Sequence, residues 1–353
     1  MDFLTCLQTQ LHRHPGMQPQ DVFKLCYQAA RGAEHLLTDA ERARAYFDRE
    51  YAATPVDAAL PLFEPISPEI ARVNIAAWKA AAFPPDWLFR MFAYTARLPR
   101  DGEDHLERYL AQAEGLLANV MPGWADALAA WRSEGMPAIH HSEAYRASAH
   151  PAYRVVDGRY ACILPVLRRI SPSVRVIAID GRAASGKTTK AALLGAMLDA
   201  PVVHMDDFFL PSALRTAERL AQPGGNIHAE RFMQEVLPAL TTGEAFSYRV
   251  FDCGRMDYHG VREIPAGHLR VVEGSYALHP AFGRYADLAI FSSVDAQEQM
   301  ARILRRNGAQ MAESFRTRWI PMEEAYFAHF RIPEGADVCL GVDAASVDGA
   351  SPL

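Results

Sequence analysis

The sequence predicts an α/β fold with a parallel sheet in its C-terminal part, preceded by an all-α N-terminal domain. In residues 1–132, apolar side chains recur at three- and four-residue steps and no stretch is rich in strand formers, which is typical of amphipathic helices. After residue 173, short β-rich runs alternate with helical patterns, which favours a parallel sheet covered on both faces. We therefore expect an all-helical domain at 1–132, a junction at 133–173 and an α/β domain at 174–345.

The individual elements follow from the same periodicities. Residues 21–37 and 106–120 each place their apolar side chains on one side, so both segments predict helices. Prolines and glycines are spread through residues 133–173, which is typical of a connection between domains. Short apolar runs predict five strands, at 174–179, 202–205, 269–272, 288–291 and 338–340.

Composition restricts the class of protein. The chain has 353 residues, of which 50% are hydrophobic and 22% charged, so it can bury real cores and is neither disordered nor a small disulfide-stapled protein. At about 150 residues per domain, this length predicts two domains or three. No apolar run approaches the roughly 18 residues that span a bilayer, and the N-terminus does not have the pattern of a signal peptide. We expect a cytoplasmic protein without a membrane partner.

The net charge restricts the expected binding partners, and the cysteines indicate the redox state of the thiols. The formal net charge is −6, and neither half of the chain is basic, so we do not expect nucleic acid as a main partner. The five cysteines are odd in number and form no CxxC pair, which indicates reduced thiols. A small-molecule substrate is the expected partner, and the sequence leaves a homo-oligomer open.

The strongest motif is GRAASGKT at residues 181–188, which fits the pattern G-x-x-x-x-G-K-[ST] between a predicted strand and a predicted helix. Its glycines let several backbone N–H groups point into one concavity, and the helix N-terminus adds its positive dipole end. Lys187 supplies a cation for the β- and γ-phosphates, and Thr188 offers a hydroxyl to Mg²⁺. A chance glycine-rich turn is the alternative. The motif predicts a P-loop NTPase three-layer fold whose nucleotide is held by Gly181, Ala183, Ala184, Ser185, Gly186, Lys187, Thr188 and Thr189.

Acidic residues follow two of the predicted strands. Asp206 and Asp207 directly follow the strand at 202–205, and Glu273 directly follows the strand at 269–272. In a parallel sheet, ligands bind at the carboxyl edge, where a carboxylate can take the proton of an attacking hydroxyl. We expect Asp206 to be this base, Asp207 to contact the substrate, and Asp206, Thr188 and Glu273 to hold Mg²⁺. A solvated strand end, a helix cap or a strand-terminal turn are the structural alternatives.

An arginine-rich segment follows the fourth predicted strand. It contains Arg302, Arg305 and Arg306, which could close over the nucleotide and neutralise charge on the transferring phosphoryl group. We expect Arg302 and Arg306 to act in catalysis and Arg305 to bind the nucleotide. The alternative is a solvated helix face with ordinary ion pairs.

The order and spacing of six motifs, within residues 160–345, resemble the uridine kinase-like branch of P-loop kinases, which includes phosphoribulokinase and pantothenate kinase. These motifs are GRAASGKTT, HMDDFFLP, PGGNIHAERF, YRVFDCGR, VVEGSYALHP and RILRRNG. The resemblance implies ATP-dependent phosphorylation of a small-molecule hydroxyl with Mg²⁺, with Asp206 as the base, Glu273 as the acid of the E-G motif and the arginines in a lid. ATP and Mg²⁺ are the cofactors it implies.

The resemblance also implies substrate-binding residues. Tyr248 and Arg255 fall where uridine kinases place a substrate-contacting tyrosine and arginine. His228 stands where a ribose-contacting aspartate is expected, and Cys253 stands where a base-contacting histidine is expected. These departures weaken the expectation of uridine or cytidine, so the expected acceptor is nucleoside-like or another polyol metabolite. Cys253 is interpreted as a small packed side chain rather than a nucleophile.

Two polar groups stand out in the N-terminal part. Asp21, Lys24, Gln28 and His35 share one helix face, which predicts either a solvated face or a polar substrate pocket. The second group consists of His140, His141 and Glu143; it could bind metal, but the spacing favours a polar contact between domains. The first 150 residues are similar to a helical segment found ahead of such kinase domains in some bacterial proteins, which implies no function.

Three functions are compatible with these motifs. A small-molecule kinase is favoured, because an acid follows the second strand where a hydroxyl acceptor needs a base. A P-loop ATPase switch, regulating a partner through the N-terminal domain, would need a water-positioning side chain that the sequence does not identify. A nucleotide-binding scaffold without turnover fits poorly with the presence of Lys187, Thr188, Asp206 and Glu273.

Overall fold

The chain divides into two compact units, Met1–Ala161 and Cys162–Leu353. This computed structural model describes residues 2–33, 39–100 and 102–341. The boundary between the units falls inside the predicted junction 133–173, so most of that junction folds with the first unit. Residues 342–345, the end of the predicted α/β domain, lie outside the described residues.

Helices make up most of the first unit. The long helix that begins at Pro19 has a proline at its first position and a capping box between Gln18 and Asp21, so its first turn is well satisfied. Its apolar side packs against the helix that begins at Gly102, which places the centre of the core between them. The helices are α1 (Phe3–Arg13), α2 (Pro19–Arg31), α3 (Ala40–Ala53), α4 (Ile75–Ala80), α5 (Pro85–Arg97), α6 (Gly102–Leu117), α7 (Trp124–Ser133) and α8 (Glu143–Ala149).

The first unit also contains a small antiparallel sheet, in the order β1-β2-β3, which corrects the expectation of an all-α domain. Its strands are β1 (Phe63–Pro65), β2 (Ile70–Asn74) and β3 (Tyr153–Asp157). The central strand pairs with a segment about 80 residues further along the chain, from Ile70 opposite Asp157 to Asn74 opposite Tyr153. Strands this short carry too few positions to show a two-residue period, and their long-range pairing leaves no local signal.

A five-stranded parallel sheet forms the centre of the second unit, in the order β10-β9-β4-β8-β5. It confirms the five predicted strands and the α/β fold class. The sheet strands are β4 (Val176–Gly181), β5 (Val202–His204), β8 (Arg270–Glu273), β9 (Leu288–Ser292) and β10 (Val338–Leu340). All six residues of β4 are buried, as expected for a central strand covered on both faces.

Helices flank this sheet. The long helix α14 contains a break at Gly308, whose φ of 76° is non-helical. A π-helical turn at Phe315–Trp319 connects α14 to α15. The helices of the second unit are α9 (Leu164–Leu167), α10 (Lys187–Leu198), α11 (Ala217–Leu220), α12 (Ala229–Glu235), α13 (Leu237–Leu240), α14 (Ala296–Ser314), α15 (Ile320–Phe330) and α16 (Ile332–Gly335).

An antiparallel hairpin, absent from the sequence prediction, lies between α13 and β8. It consists of β6 (Phe246–Asp252) and β7 (Asp257–Ile264). Most of its side chains are exposed or half-buried, so neither strand shows a clear apolar face in the sequence. Among the described residues, no helix has the length and apolar character that crossing a membrane requires.

Candidate active site

The loop between β4 and α10 curls back on itself. Gly181 has a φ of 137°, and a Cβ there would lie 2.0 Å from the carbonyl oxygen of Ser292, so this position accepts only glycine. Gly186 has a φ of 86°, and Ala184 adopts a φ of 57° that is strained for a residue with a side chain. The loop therefore forms a concavity that ends at the N-terminus of a 12-residue helix, the arrangement that suits a phosphate group.

Two lysines hold the loop from within. Lys187 donates from Nζ to the carbonyl oxygens of Gly181, at 2.7 Å, and Arg182, at 2.9 Å. Lys190 donates to the carbonyl oxygen of Ser185 at 2.6 Å and to Oγ of Ser292 at 3.0 Å. Thr189 lies beside Lys190 in the first turn of α10.

Ser185 shows that the loop is built for a further partner. Its side chain is 2% exposed, yet its Oγ has no hydrogen-bond partner among the described residues. A buried hydroxyl without a partner is costly unless a ligand satisfies it. Together with the Lys187 ammonium group inside the concavity, this orphaned hydroxyl fits a bound polyphosphate.

Buried carboxylates support the loop from behind. Asp180 accepts hydrogen bonds from the backbone N–H groups of Gly181, at 2.7 Å, and of Tyr276 and Leu278, at 3.1 and 3.0 Å. The hydroxyl of Tyr326 also donates to Asp180, at 2.8 Å. Burial raises the pKa of Asp180. No sequence motif pointed to Asp180 as a support of the loop, because three of its partners come from distant segments.

Glu323, on α15, is a second buried carboxylate that supports the loop. It accepts a hydrogen bond from the backbone N–H of Ala183 at 2.9 Å and from the Ser275 hydroxyl at 2.6 Å. Burial raises its pKa, and the nearby positive charge of Lys187 opposes that rise. No sequence signal pointed to Glu323, because 140 residues separate it from Ala183.

The lid arginines divide into two groups. Arg302 donates from Nη1 to the carbonyl oxygen of Ala184 at 3.2 Å and from Nε to Glu298 at 2.7 Å, so the structure brings it to the loop. Arg305 and Arg306 are exposed, and Arg306 bonds its chain neighbour Asn307. Among the described residues, neither Arg305 nor Arg306 contacts the loop.

The two acids that follow β5 differ sharply. Asp206 is exposed to solvent and makes no hydrogen bond or ion pair with the described residues. Although the side chain is exposed, the protein atoms around it partly desolvate the carboxylate and raise its pKa, and the negative charge of Glu273 also raises that pKa. Asp207 is buried, and its Oδ2 accepts from the Tyr248 hydroxyl at 3.0 Å and from Nε of Arg262 at 2.9 Å. Only Asp206 is therefore open to a ligand's proton.

Glu273 is placed against the start of α10. Its Oε2 accepts a hydrogen bond from the Thr188 hydroxyl at 3.2 Å, and its Oε1 lies 2.6 Å from Nδ1 of His204. The carboxylate also lies near enough to Asp206 to raise the pKa of that residue. Two carboxylates and a hydroxyl, all hard oxygen donors, suit Mg²⁺, which keeps its remaining positions for water and phosphate oxygens. The described residues contain no group of three His, Cys, Asp or Glu side chains placed to hold a metal.

Three of the predicted substrate contacts, Asp207, Tyr248 and His228, have partners within the protein. Tyr248 is 2% exposed and supports Asp207 from the core, so neither side chain offers an open surface. His228 is the N-cap of α12, where its Nδ1 accepts from the backbone N–H of Arg231 at 3.4 Å. These three side chains are structural supports in this conformation.

The tip of the β6–β7 hairpin carries the remaining predicted residues. Arg255 is exposed, with Nη1 3.1 Å from Nδ1 of His259. Cys253 is also exposed, which corrects the interpretation of a packed side chain. Desolvation raises the pKa of Cys253, and the negative charge of Asp206 raises it further, so the hairpin tip lies close to Asp206.

In the first unit, the polar face of α2 is not solvated. Asp21 and Gln28 are 0% and 2% exposed, so the solvated-face interpretation is wrong; His35 lies outside the described residues. Asp21 accepts from the backbone N–H and the hydroxyl of Ser142, at 2.9 and 2.7 Å, and from the backbone N–H of Gln18. Although burial opposes the change, hydrogen bonds from His141, Gln18 and Ser142 lower the pKa of Asp21 to about 2.

His141 uses both of its ring nitrogens. Nδ1 lies 3.2 Å from Asp21 Oδ1, and Nε2 lies 2.7 Å from the Tyr153 hydroxyl. Burial lowers the pKa of His141 to about 4, so its ring is neutral at pH 7. With both nitrogens occupied, His141 is not free to bind a metal together with His140.

In comparisons with known proteins, the similar solved structures cover about half of the chain. No family model matches the chain, and no curated protein matches it. The chain is similar to the solved structures of a protein described as a possible uridine kinase from Bacillus stearothermophilus (19% identity, 51% of this chain, 95% of that chain, TM-score 0.39) and of a protein provisionally described as a fructose transport system kinase from Silicibacter sp. TM1040 (23% identity, 51% and 97%, TM-score 0.41). It is also similar to shikimate kinase from Bacteroides thetaiotaomicron (15% identity, 48% and 88%, TM-score 0.27).

The decisive observation is the order of the sheet, with the phosphate-binding loop following its central strand. The second unit has a P-loop NTPase fold.

Proposed function

We propose that the second unit transfers the γ-phosphoryl group of ATP to a hydroxyl group of a small molecule. The observation that carries this proposal is the open carboxylate of Asp206, which lies near Glu273 and Lys187 at the carboxyl edge of the sheet. Asp207 and Glu273 are already engaged by neighbouring side chains. A base that is free to accept a proton is what a hydroxyl acceptor requires.

The loop residues bind the nucleotide in this proposal. ATP supplies an activated phosphoryl group, and Mg²⁺ neutralises part of the phosphate charge. Lys187 exchanges its two carbonyl partners for phosphate oxygens, which are stronger acceptors because they are charged. Ser185 satisfies its buried hydroxyl on the same ligand, and Thr188 with Glu273 holds the metal ion.

The remaining residues act on the transferred group. Asp206 takes the proton from the acceptor hydroxyl as that oxygen attacks, and its raised pKa makes it a better proton acceptor. Arg302, already bonded to the loop carbonyl of Ala184, stabilises the negative charge that develops during transfer. Arg305 and Arg306 would join it only after a change in the position of α14.

The acceptor class remains a nucleoside-like compound or another polyol of metabolite size. Arg255 at the hairpin tip is the predicted substrate contact that is exposed, and the tip lies close to Asp206. Because Tyr248 and His228 have structural partners, we expect them to position the site rather than bind the acceptor directly.

The test is ADP release from the full chain with Mg²⁺ and ATP, across nucleosides, pantothenate, sugars and phosphosugars. A compound that stimulates ADP release and gains the mass of one phosphoryl group supports the kinase and identifies its acceptor. ADP release at one rate with every compound would contradict the proposal and favour the ATPase switch. The Lys187→Ala variant, assayed in parallel, controls for a contaminating ATPase.

A further inference from the structure

The first unit contains a polar pocket that the kinase chemistry does not use. It has a volume of about 600 Å³ and lies where the start of α2 meets the segment leading into α8. The lining residues are Gln18, Gln20, His140, His141, Ser142, Glu143, Ala144 and Arg146. Apart from one alanine, every lining side chain is polar, so the pocket suits a hydrophilic ligand.

Positive charges lie in and beside this pocket. Lys24 does not line it, but lies one turn after the lining residue Gln20 on α2, where it is half-buried and makes no hydrogen bond or ion pair with the described residues. Burial, together with the positive charges of Arg72 and Arg146, lowers its pKa to about 8, although the negative charges of Asp21 and Glu50 oppose the change. Burial also lowers the pKa of His140, and the positive charges of Lys24 and Arg146 contribute to that change. Lys24, Arg146 and His140 are therefore close enough to act together.

The nearby carboxylates balance these positive charges only in part. Asp21 is negatively charged, but it is buried and accepts hydrogen bonds from Ser142, Gln18 and His141. Glu50 forms an ion pair with Arg154. Asp21 and Glu143 therefore face the three positive charges of Lys24, Arg72 and Arg146. Like charges held together at a partly buried site cost free energy, which an anionic ligand would recover.

A hydrogen-bonded chain makes one side of the pocket rigid. Nε and Nη2 of Arg72 donate to Oε1 of Gln28, at 3.2 and 2.8 Å, and its guanidinium stacks 4.4 Å from the centre of the Tyr153 ring. Tyr153 and Asp21 then hold the neutral ring of His141 between them. Because this arrangement is complete without a ligand, the pocket is preorganised.

We propose that this pocket binds a small molecule through an anionic oxygen group, either phosphate or carboxylate, held by Lys24 and Arg146 with His140. The site lies wholly within the first unit and does not depend on the kinase proposal. The chemistry that recognises the ligand is the same for both anions, so the experiment uses one probe of each kind.

The test follows the titration of His140 by NMR in the full chain, with the signal assigned by its loss in His140→Gln. The probes are inorganic phosphate and citrate. Binding of an anion should raise the pKa of His140, because negative charge stabilises the imidazolium form. The Lys187→Ala variant, titrated in parallel, shows whether phosphate bound at the ATP loop contributes to the change. A response to phosphate alone or to citrate alone supports the proposal and identifies the group.

The variants Lys24→Met and Arg146→Gln should each weaken the response at least tenfold. Arg146 is exposed, so its substitution does not endanger folding, and Arg42→Gln on α3 is the matched control for loss of one exposed arginine. The proposal is overturned if neither probe moves the His140 pKa at concentrations that reveal dissociation constants of about 1 mM. It is equally overturned if both variants respond as the natural chain does.

Discussion

Replacing Asp206 by asparagine tests the chemistry of the site most directly. The change keeps the shape of the side chain and removes its ability to accept a proton. Because Asp206 has no hydrogen-bond partner among the described residues, and because desolvation and the charge of Glu273 disfavour its ionised form, we expect the substitution not to lower stability. Loss of a general base should slow phosphoryl transfer about 10²–10⁴-fold, which corresponds to about 2.7–5.4 kcal/mol in activation free energy.

Asp207→Asn provides the matched control one residue away. Asp207 is buried, and its carboxylate accepts hydrogen bonds from Tyr248 and Arg262, so its loss leaves those partners poorly satisfied. We expect this variant to lose about 1–3 kcal/mol of stability. The two variants therefore separate a loss of rate at constant stability from a loss of stability.

The assay is acceptor-dependent ADP release, with ATP affinity and thermal unfolding measured on the same samples. Asp206→Asn should bind ATP with unchanged affinity while transfer is lost. In the natural chain, the rate should fall as pH drops through the raised pKa of Asp206, because the protonated carboxyl cannot take the acceptor's proton. A variant that keeps transfer within about tenfold of the natural rate would refute the role of Asp206 as base.

Three further predictions concern other parts of the chain. Gly181→Ala should abolish ATP binding and destabilise the second unit, because the added Cβ would lie 2.0 Å from the Ser292 carbonyl oxygen. The control is Gly115→Ala on α6, whose Cβ would meet no atom within 4 Å and which should stabilise the protein by about 0.5–1 kcal/mol. Equal unfolding temperatures of the two variants would contradict this prediction. Lys187→Ala should lose most ATP affinity or rate, measured by titration and ADP release, and an unchanged rate would remove the phosphate role of the loop. His141 is neutral when folded, with its pKa lowered to about 4, so its contribution to stability is complete above its unfolded pKa near 6.5 and falls by about 1.4 kcal/mol per pH unit between 6.5 and 4. Urea unfolding at pH 7 and pH 5 should show this loss in the natural chain and a smaller loss in His141→Gln, and identical losses would contradict it.

The parts of the fold that were predictable are those with a local pattern. The strands of the parallel sheet are continuous apolar runs, and Gly181, Gly186 and Lys187 occur at a spacing that only one kind of loop needs. Such signals depend on residues within a few positions of one another. They were sufficient for the fold class and for the position of the loop.

The parts that were missed depend on long-range contacts. Asp21 accepts its hydrogen bonds from Ser142, 121 residues away, so helix periodicity alone suggested a solvated face. Glu323 reaches Ala183 across 140 residues, and no motif marks it. The role of Tyr248 was inferred from its place in a motif, whereas its burial depends on how the hairpin packs. In each case, the role of the side chain depends on its partner in the fold, which the local sequence does not reveal.

Asp180 has a consequence for the order of events during folding. Its carboxylate joins the phosphate-binding loop to Tyr276 and Leu278 and, across 146 residues, to Tyr326. The loop therefore acquires its full set of supports only after the chain has been made as far as α15. Contacts of such long range form late and slowly. A nascent chain that ends before Tyr326 contains the complete glycine-lysine motif and still lacks a nucleotide-binding loop of native rigidity.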